Sequence, residues 1–183
     1  MARRHPTLRR LPPNRLIGIL VIAGILILVP GWLSYRTFVA RSGTARLYFS
    51  TPYTQVQPNQ DFTIDLRVDT GGHAVNAVQS ALTLDPTRLQ IVNMTTDRSF
   101  CTLYTENSFD ANRGTVDIAC GTPHPGFAGD SLVVSLTLRA KMAGDATIGV
   151  EPSSALVLAD DGKGTNLLGS APSYLLSVKQ ASY

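Results

Sequence analysis

From Phe62 to Asp69 apolar and polar residues alternate without a break. Phe62, Ile64, Leu66 and Val68 fall on one side, and Thr63, Asp65, Arg67 and Asp69 on the other. A period of two places each set on one face of a strand, so this segment reads as a strand with one face buried and one face in water. The pattern recurs. Leu132, Val134, Leu136 and Leu138 are set against Ser135, Thr137 and Arg139, and Val78, Leu82 and Leu84 form a third set. Leu89, Ile91 and Met94 form a fourth, whose spacing fits a bulge near Val92-Asn93. Weaker runs at 45–51, 101–106, 115–120, 146–150, 155–159 and 173–179 read as further strands. Turn residues separate them: Gln57-Pro58-Asn59, Gly71-Gly72, Asp85-Pro86, Asn112-Arg113-Gly114, Gly126 to Gly129, Ala143-Gly144-Asp145 and Asp160-Asp161-Gly162. Nine or ten short strands in about 140 residues predict an all-β sandwich with one hydrophobic core.

The N-terminal 40 residues differ in kind. Leu16 to Leu33 is 18 residues without a charge. As a helix it would reach about 27 Å, close to the hydrocarbon thickness of about 30 Å. Five arginines precede this stretch and Arg36 follows it, with no acidic residue among residues 1–40. The positive-inside bias then places the N-terminus in the cytoplasm and the rest of the chain outside. A helix apolar all round does not suit the core of a small soluble protein. A cleaved signal peptide is the competing reading; its most obvious site, Phe38-Val39-Ala40, has a bulky Phe where a small residue is wanted. The sequence therefore divides into a basic cytoplasmic tail (1–15), a transmembrane signal-anchor helix (16–33), a short stalk (34–44) and one β domain (45–180), single-pass with the domain at the cell surface. The net charge of +3 belongs to the anchor: past residue 40, ten Lys and Arg face 13 Asp and Glu. A basic folded face is what nucleic-acid binding needs, so no nucleic-acid partner is expected.

Two cysteines, Cys101 and Cys120, lie in the segment placed outside. An oxidising compartment lets them pair, and closing a loop of about 20 residues stabilises a fold by roughly 3 kcal/mol in the chain-entropy model. Two buried free thiols are the alternative.

Several segments then line up in a familiar order. Ala45-Arg46-Leu47-Tyr48-Phe49-Ser50 is followed by Asn59-Gln60-Asp61-Phe62-Thr63-Ile64, then Val75-Asn76-Ala77 and Leu82-Thr83-Leu84-Asp85-Pro86-Thr87-Arg88-Leu89. Asn112-Arg113-Gly114-Thr115-Val116-Asp117-Ile118 and Leu132 to Ala140 with Gly144 complete the series. From Ala45 to about Lys179 the chain resembles the cohesin domains and their carbohydrate-binding-module relatives, a jelly-roll β-sandwich class. The Leu-x-Leu-Asp-Pro-x-x-Leu turn is the most specific part of the likeness. In cellulosomal cohesins one sheet face binds a dockerin module, using polar residues on the strand before that turn. The resemblance implies a candidate binding face at Gln79, Ala81 and Thr83. Gln79 stands where dockerin-binding members frequently carry an acidic residue.

Chemistry is sparse elsewhere. His5 falls in the basic tail, and His73 and His124 read as solvated loop histidines. Asp160-Asp161-Gly162-Lys163-Gly164 lacks the spaced carboxylates of a helical calcium hand and reads as a hairpin turn. No strained Gly-x-Ser-x-Gly elbow or phosphate-binding glycine loop occurs. No enzyme, metal site or cofactor is expected. Flat sugar stacking would need exposed aromatics; Trp32 is in the anchor, leaving Tyr53, Tyr104 and Phe127 as candidates, with Tyr48 and Tyr174 read as packing residues. The leading expectation is a membrane-anchored, non-catalytic module with an unidentified protein partner, dockerin-like or otherwise. A polysaccharide-binding module and a structural subunit of an envelope or pilus-like assembly are the alternatives.

Overall fold

The computed structural model describes residues 45–180. The expected anchor at 16–33, its basic tail and the stalk lie outside the described residues. Among the described residues no helix is long and apolar enough to cross a membrane.

Eleven strands follow in order: β1 Arg46–Ser50, β2 Gln55–Val56, β3 Asp61–Asp69, β4 Val75–Leu84, β5 Leu89–Thr95, β6 Leu103–Asp110, β7 Thr115–Gly121, β8 Asp130–Ala140, β9 Gly144–Val150, β10 Leu156–Ala159 and β11 Ser173–Val178. A single 3-10 turn at Pro152–Ser154 separates β9 from β10. They form two sheets. One has the order β1-β3-β8-β5; the other runs β2-β11-β9-β4-β7-β6, with β10 also pairing β4. β9 and β10 share one edge of β4, β10 along Val75 to Gln79 and β9 along Leu82 to Leu84.

The alternation read from the sequence is what the sheets bury. Phe62, Ile64, Leu66 and Val68 of β3 and Leu136 and Leu138 of β8 meet Val78, Leu82, Val116, Ile118, Ile148 and Leu176 of the other sheet in one continuous core. The bulge that the spacing in β5 fits lies at Val92, where pairing to β8 slips between Ile91 and Asn93. The strand count is one higher than expected. The extra strand, β2, has only two residues and pairs in parallel with the C-terminal end of β11. Two residues are too few to show a period. β6 also runs to Asp110, four residues past the expected end, because it forms a hairpin with β7 across the turn at Asn112-Arg113-Gly114. Asp110 holds that turn by accepting from the backbone N–H groups of Asn112 and Arg113.

The Asp85-Pro86 turn is tied at both ends. Asp85 accepts from the Thr87 N–H at 2.8 Å and the Thr87 hydroxyl at 2.7 Å. Arg88 donates to the carbonyl of Ala143, and its guanidinium lies over Gly144, whose φ is 128°. A Cβ there would collide with that guanidinium. Cys101 and Cys120 form a disulfide, with Cα atoms 5.7 Å apart.

Candidate binding face

The two sheets present opposite kinds of surface. On the four-stranded sheet every arginine is closed onto an aspartate. Arg46 pairs with Asp69 at 3.1 Å, and Arg139 reaches Asp61 through two nitrogens. Arg67 binds Asp130, which also accepts from the Tyr48 hydroxyl. Arg46 lies 5.3 Å from the centre of the Tyr48 ring, and Ser135 donates to the remaining carboxylate, Asp65, at 2.6 Å. This face satisfies itself.

The seven strands of the other sheet contain no Lys or Arg at all, and four carboxylates: Glu106, Asp110, Asp117 and Asp145. Asp110 is paired with Arg113; the other three form no ion pair among the described residues. Gln79, Ala81 and Thr83 lie on the outer side of β4, in register with Ala119, Asp117 and Thr115 of β7. Gln79 and Thr83 are exposed and Ala81 is half-buried. The structure thus brings these three residues together in the centre of the face, spanning about 13 Å from Gln79 to Thr83 at strand spacing.

Each end of this row opens into a depression. Gln79 lines an apolar one of about 280 Å³, whose other residues include Leu103, Leu156 and Leu158 around Ala77, Ala119 and Gly121. Thr83 lines a polar one of about 340 Å³ with Asp85, Asp145, Thr147 and Gly149. Hydrogen bonds from the Thr87 hydroxyl and N–H hold the Asp85 carboxyl below its ordinary pKa, so it stays ionised. Of the residues lining the apolar depression, only Gln79 and Cys120 were singled out as site residues from sequence. Leu156 and Leu158 alternate with Val157 as outward residues, but nothing local says that β10 lies beside β4 or that Leu103 of β6 shares their face.

The candidate aromatics do not form a common platform. Tyr53 is half-buried, edge-on to Phe62 at 6.1 Å between ring centres. Tyr104 is half-buried against the core and donates its hydroxyl to the Cys101 carbonyl. Phe127 is half-buried and packs on Phe100 at 5.2 Å. Tyr174 packs on the core and donates to the Tyr53 carbonyl at 2.6 Å. His73 and His124 are both exposed in loops, and His124 Nδ1 lies 2.7 Å from Asp160. Asp161 closes the neighbouring loop on Lys163 N–H and the Thr165 hydroxyl, the geometry of a turn. Among the described residues no group of three or more His, Cys, Asp or Glu is placed to hold a metal ion.

Two packed sheets, antiparallel except for the short β2–β11 pair, one with a saturated face and one with an open face, make the class a β-sandwich of the cohesin type. A scan of protein-family models finds no match to the chain, and a search of curated proteins finds none. Solved structures do match. The cohesin module of a family 33 glycoside hydrolase from Clostridium perfringens is 19% identical at a TM-score of 0.60, over 75% of this chain and 98% of its own. The sixth cohesin of scaffoldin B from Acetivibrio cellulolyticus, solved in complex with a Cel5 dockerin, is 10% identical at 0.58, over 74% and 99%. A non-cellulosomal cohesin from the archaeon Archaeoglobus fulgidus is 9% identical at 0.56, over 74% and 91%. At such identities the likeness establishes the fold: residues 45–180 form a cohesin-like β-sandwich.

Proposed function

We propose that the chain is a non-catalytic protein-recognition module, held at the outer surface of a membrane by residues 16–33, with its binding surface on the outer face of the seven-stranded sheet. The contrast between the two faces carries this reading. Three Arg–Asp pairs close the four-stranded face, whereas the seven-stranded face has three carboxylates without an ion pair among the described residues, an apolar depression and no Lys or Arg on any of its strands. Unpaired charge beside exposed apolar surface is the composition of a surface that gains by being covered. The fold shared with cohesin modules, one of them solved with a dockerin, supports a protein as the covering partner. A dockerin itself is the finer form of this proposal.

The test is affinity capture with the full chain and two variants. Thr83→Arg puts a long cation at the centre of the proposed face, and Thr63→Arg does the same on the opposite sheet. The expected result is a partner retained by wild type and Thr63→Arg and lost by Thr83→Arg. Retention on insoluble polysaccharide that Thr83→Arg leaves intact, with no captured protein, would overturn the reading.

A further inference from the structure

We infer that the apolar depression at the β10 end of the seven-stranded face holds an aliphatic side chain from a basic segment of the partner; this rests on the protein-recognition reading above. Leu103, Leu156 and Leu158 surround the small residues Ala77, Ala119 and Gly121, so the depression is apolar in wall and floor. Leu103 is 61% exposed, which leaves its side chain available to a visitor instead of committed to the core. Register places these residues side by side: Leu103 faces Gly121, Gly121 faces Ala77, and Ala77 faces Leu158 across four adjacent strands. An apolar group buried there gains through desolvation, and desolvated apolar pockets are where binding energy concentrates.

The charge around the depression selects the rest of the partner. Glu106 stands opposite Ala119, which lines the depression, and Asp117 is the next outward residue along β7. With Asp145 farther along the same face, these carboxylates have no cation of their own among the described residues, and no strand of the sheet supplies one. A segment bringing Lys or Arg on either side of a Leu, Ile or Met would neutralise them as it filled the depression. An acidic or purely polar segment would meet uncompensated repulsion or leave the depression empty.

The probe is a random 12-residue peptide library displayed on phage. It is panned on the immobilised full chain with counter-selection on the Leu103→Ser chain, which removes peptides bound elsewhere, including at the arginine-rich N-terminus. Leu103 is exposed, so this variant leaves the core intact. The expected survivors are enriched in Lys and Arg around an aliphatic residue. Synthetic copies should bind Leu103→Ser and Glu106→Gln/Asp117→Asn at least about tenfold more weakly, and weaken by a similar factor between low and high salt. Survivors that are acidic or uncharged yet lose binding to Thr83→Arg would overturn the partner chemistry while leaving the face in use. No survivor sensitive to any substitution on this face would overturn both.

Discussion

Gly114 ends the turn just before β7 at a φ of 68°, and a Cβ there would strike the carbonyl oxygen and side chain of Leu84. Since the obstacle includes backbone, it cannot swing aside. Gly114→Ala should therefore lower stability by about 1–3 kcal/mol in denaturant unfolding. Ser80 is the opposite case. Its hydroxyl is buried on the core side of β4 without a hydrogen-bond partner. Ser80→Ala removes a desolvated group that earned nothing, and should leave stability unchanged or raise it by about 1 kcal/mol. The charged residues set the pH response. Asp61 is held below the ordinary carboxylate range by hydrogen bonds from Arg139, Asp85 by those from Thr87, and Asp161 by the Thr165 hydroxyl. At Asp130 burial pushes upward, and hydrogen bonds from Tyr48 and Arg67 outweigh it. A carboxylate with a lowered folded pKa contributes stability above its unfolded value of about 3.9 and loses it as pH falls through the folded one. Unfolding midpoints should accordingly hold from neutral pH to about 5 and fall below about 4, less steeply in Asp130→Asn. Tyr48 acts at the other end. Burial and its bond to Asp130 raise its pKa, so its contribution is present below about 10 and disappears as pH rises through the folded value.

Among the elements, β6 is the most exposed, with every residue from Thr105 to Phe109 open to solvent. It lies at the end of its sheet and hydrogen-bonds one neighbour, β7. The Cys101–Cys120 disulfide fastens its N-terminal end to that neighbour. Reduction, or the double change Cys101→Ser/Cys120→Ser, should cost about 3 kcal/mol, the loop-closure value for a separation of 19. Hydrogen exchange should accelerate first in β6. Element by element, the strands were legible where one face is buried and the other wet. β3 and β8 could be read to within two residues, and the bulge in β5 followed from the spacing of Ile91 and Met94. β6 was read short because its exposed residues, Glu106 to Ser108, carry no apolar alternation. β2 was missed because two residues hold no period, and its pairing comes from β11, more than 100 residues away in sequence.

At the scale of the whole molecule, what the sequence left out was pairing. Only β6 and β7 are both consecutive and hydrogen-bonded to each other; every other pair is set by distant segments meeting. The binding face illustrates this. Gln79, Ala81 and Thr83 were reachable from alternation and from the cohesin resemblance, because they sit on one strand. The apolar depression needs β4, β6, β7 and β10 together, and the absence of Lys and Arg from these strands has no meaning until all seven are known to be one sheet. The basic charge of the chain points away from the same conclusion, since it belongs to residues outside the domain. The central claim, that the seven-stranded face recognises a protein at the cell surface, is tested most directly by photo-crosslinking in intact cells. A photoreactive residue is placed at Thr83 in one strain and at Thr63 on the opposite face in another. The account predicts a discrete protein adduct from position 83 and none from position 63. Adducts from position 63 alone, or from neither position, would contradict it.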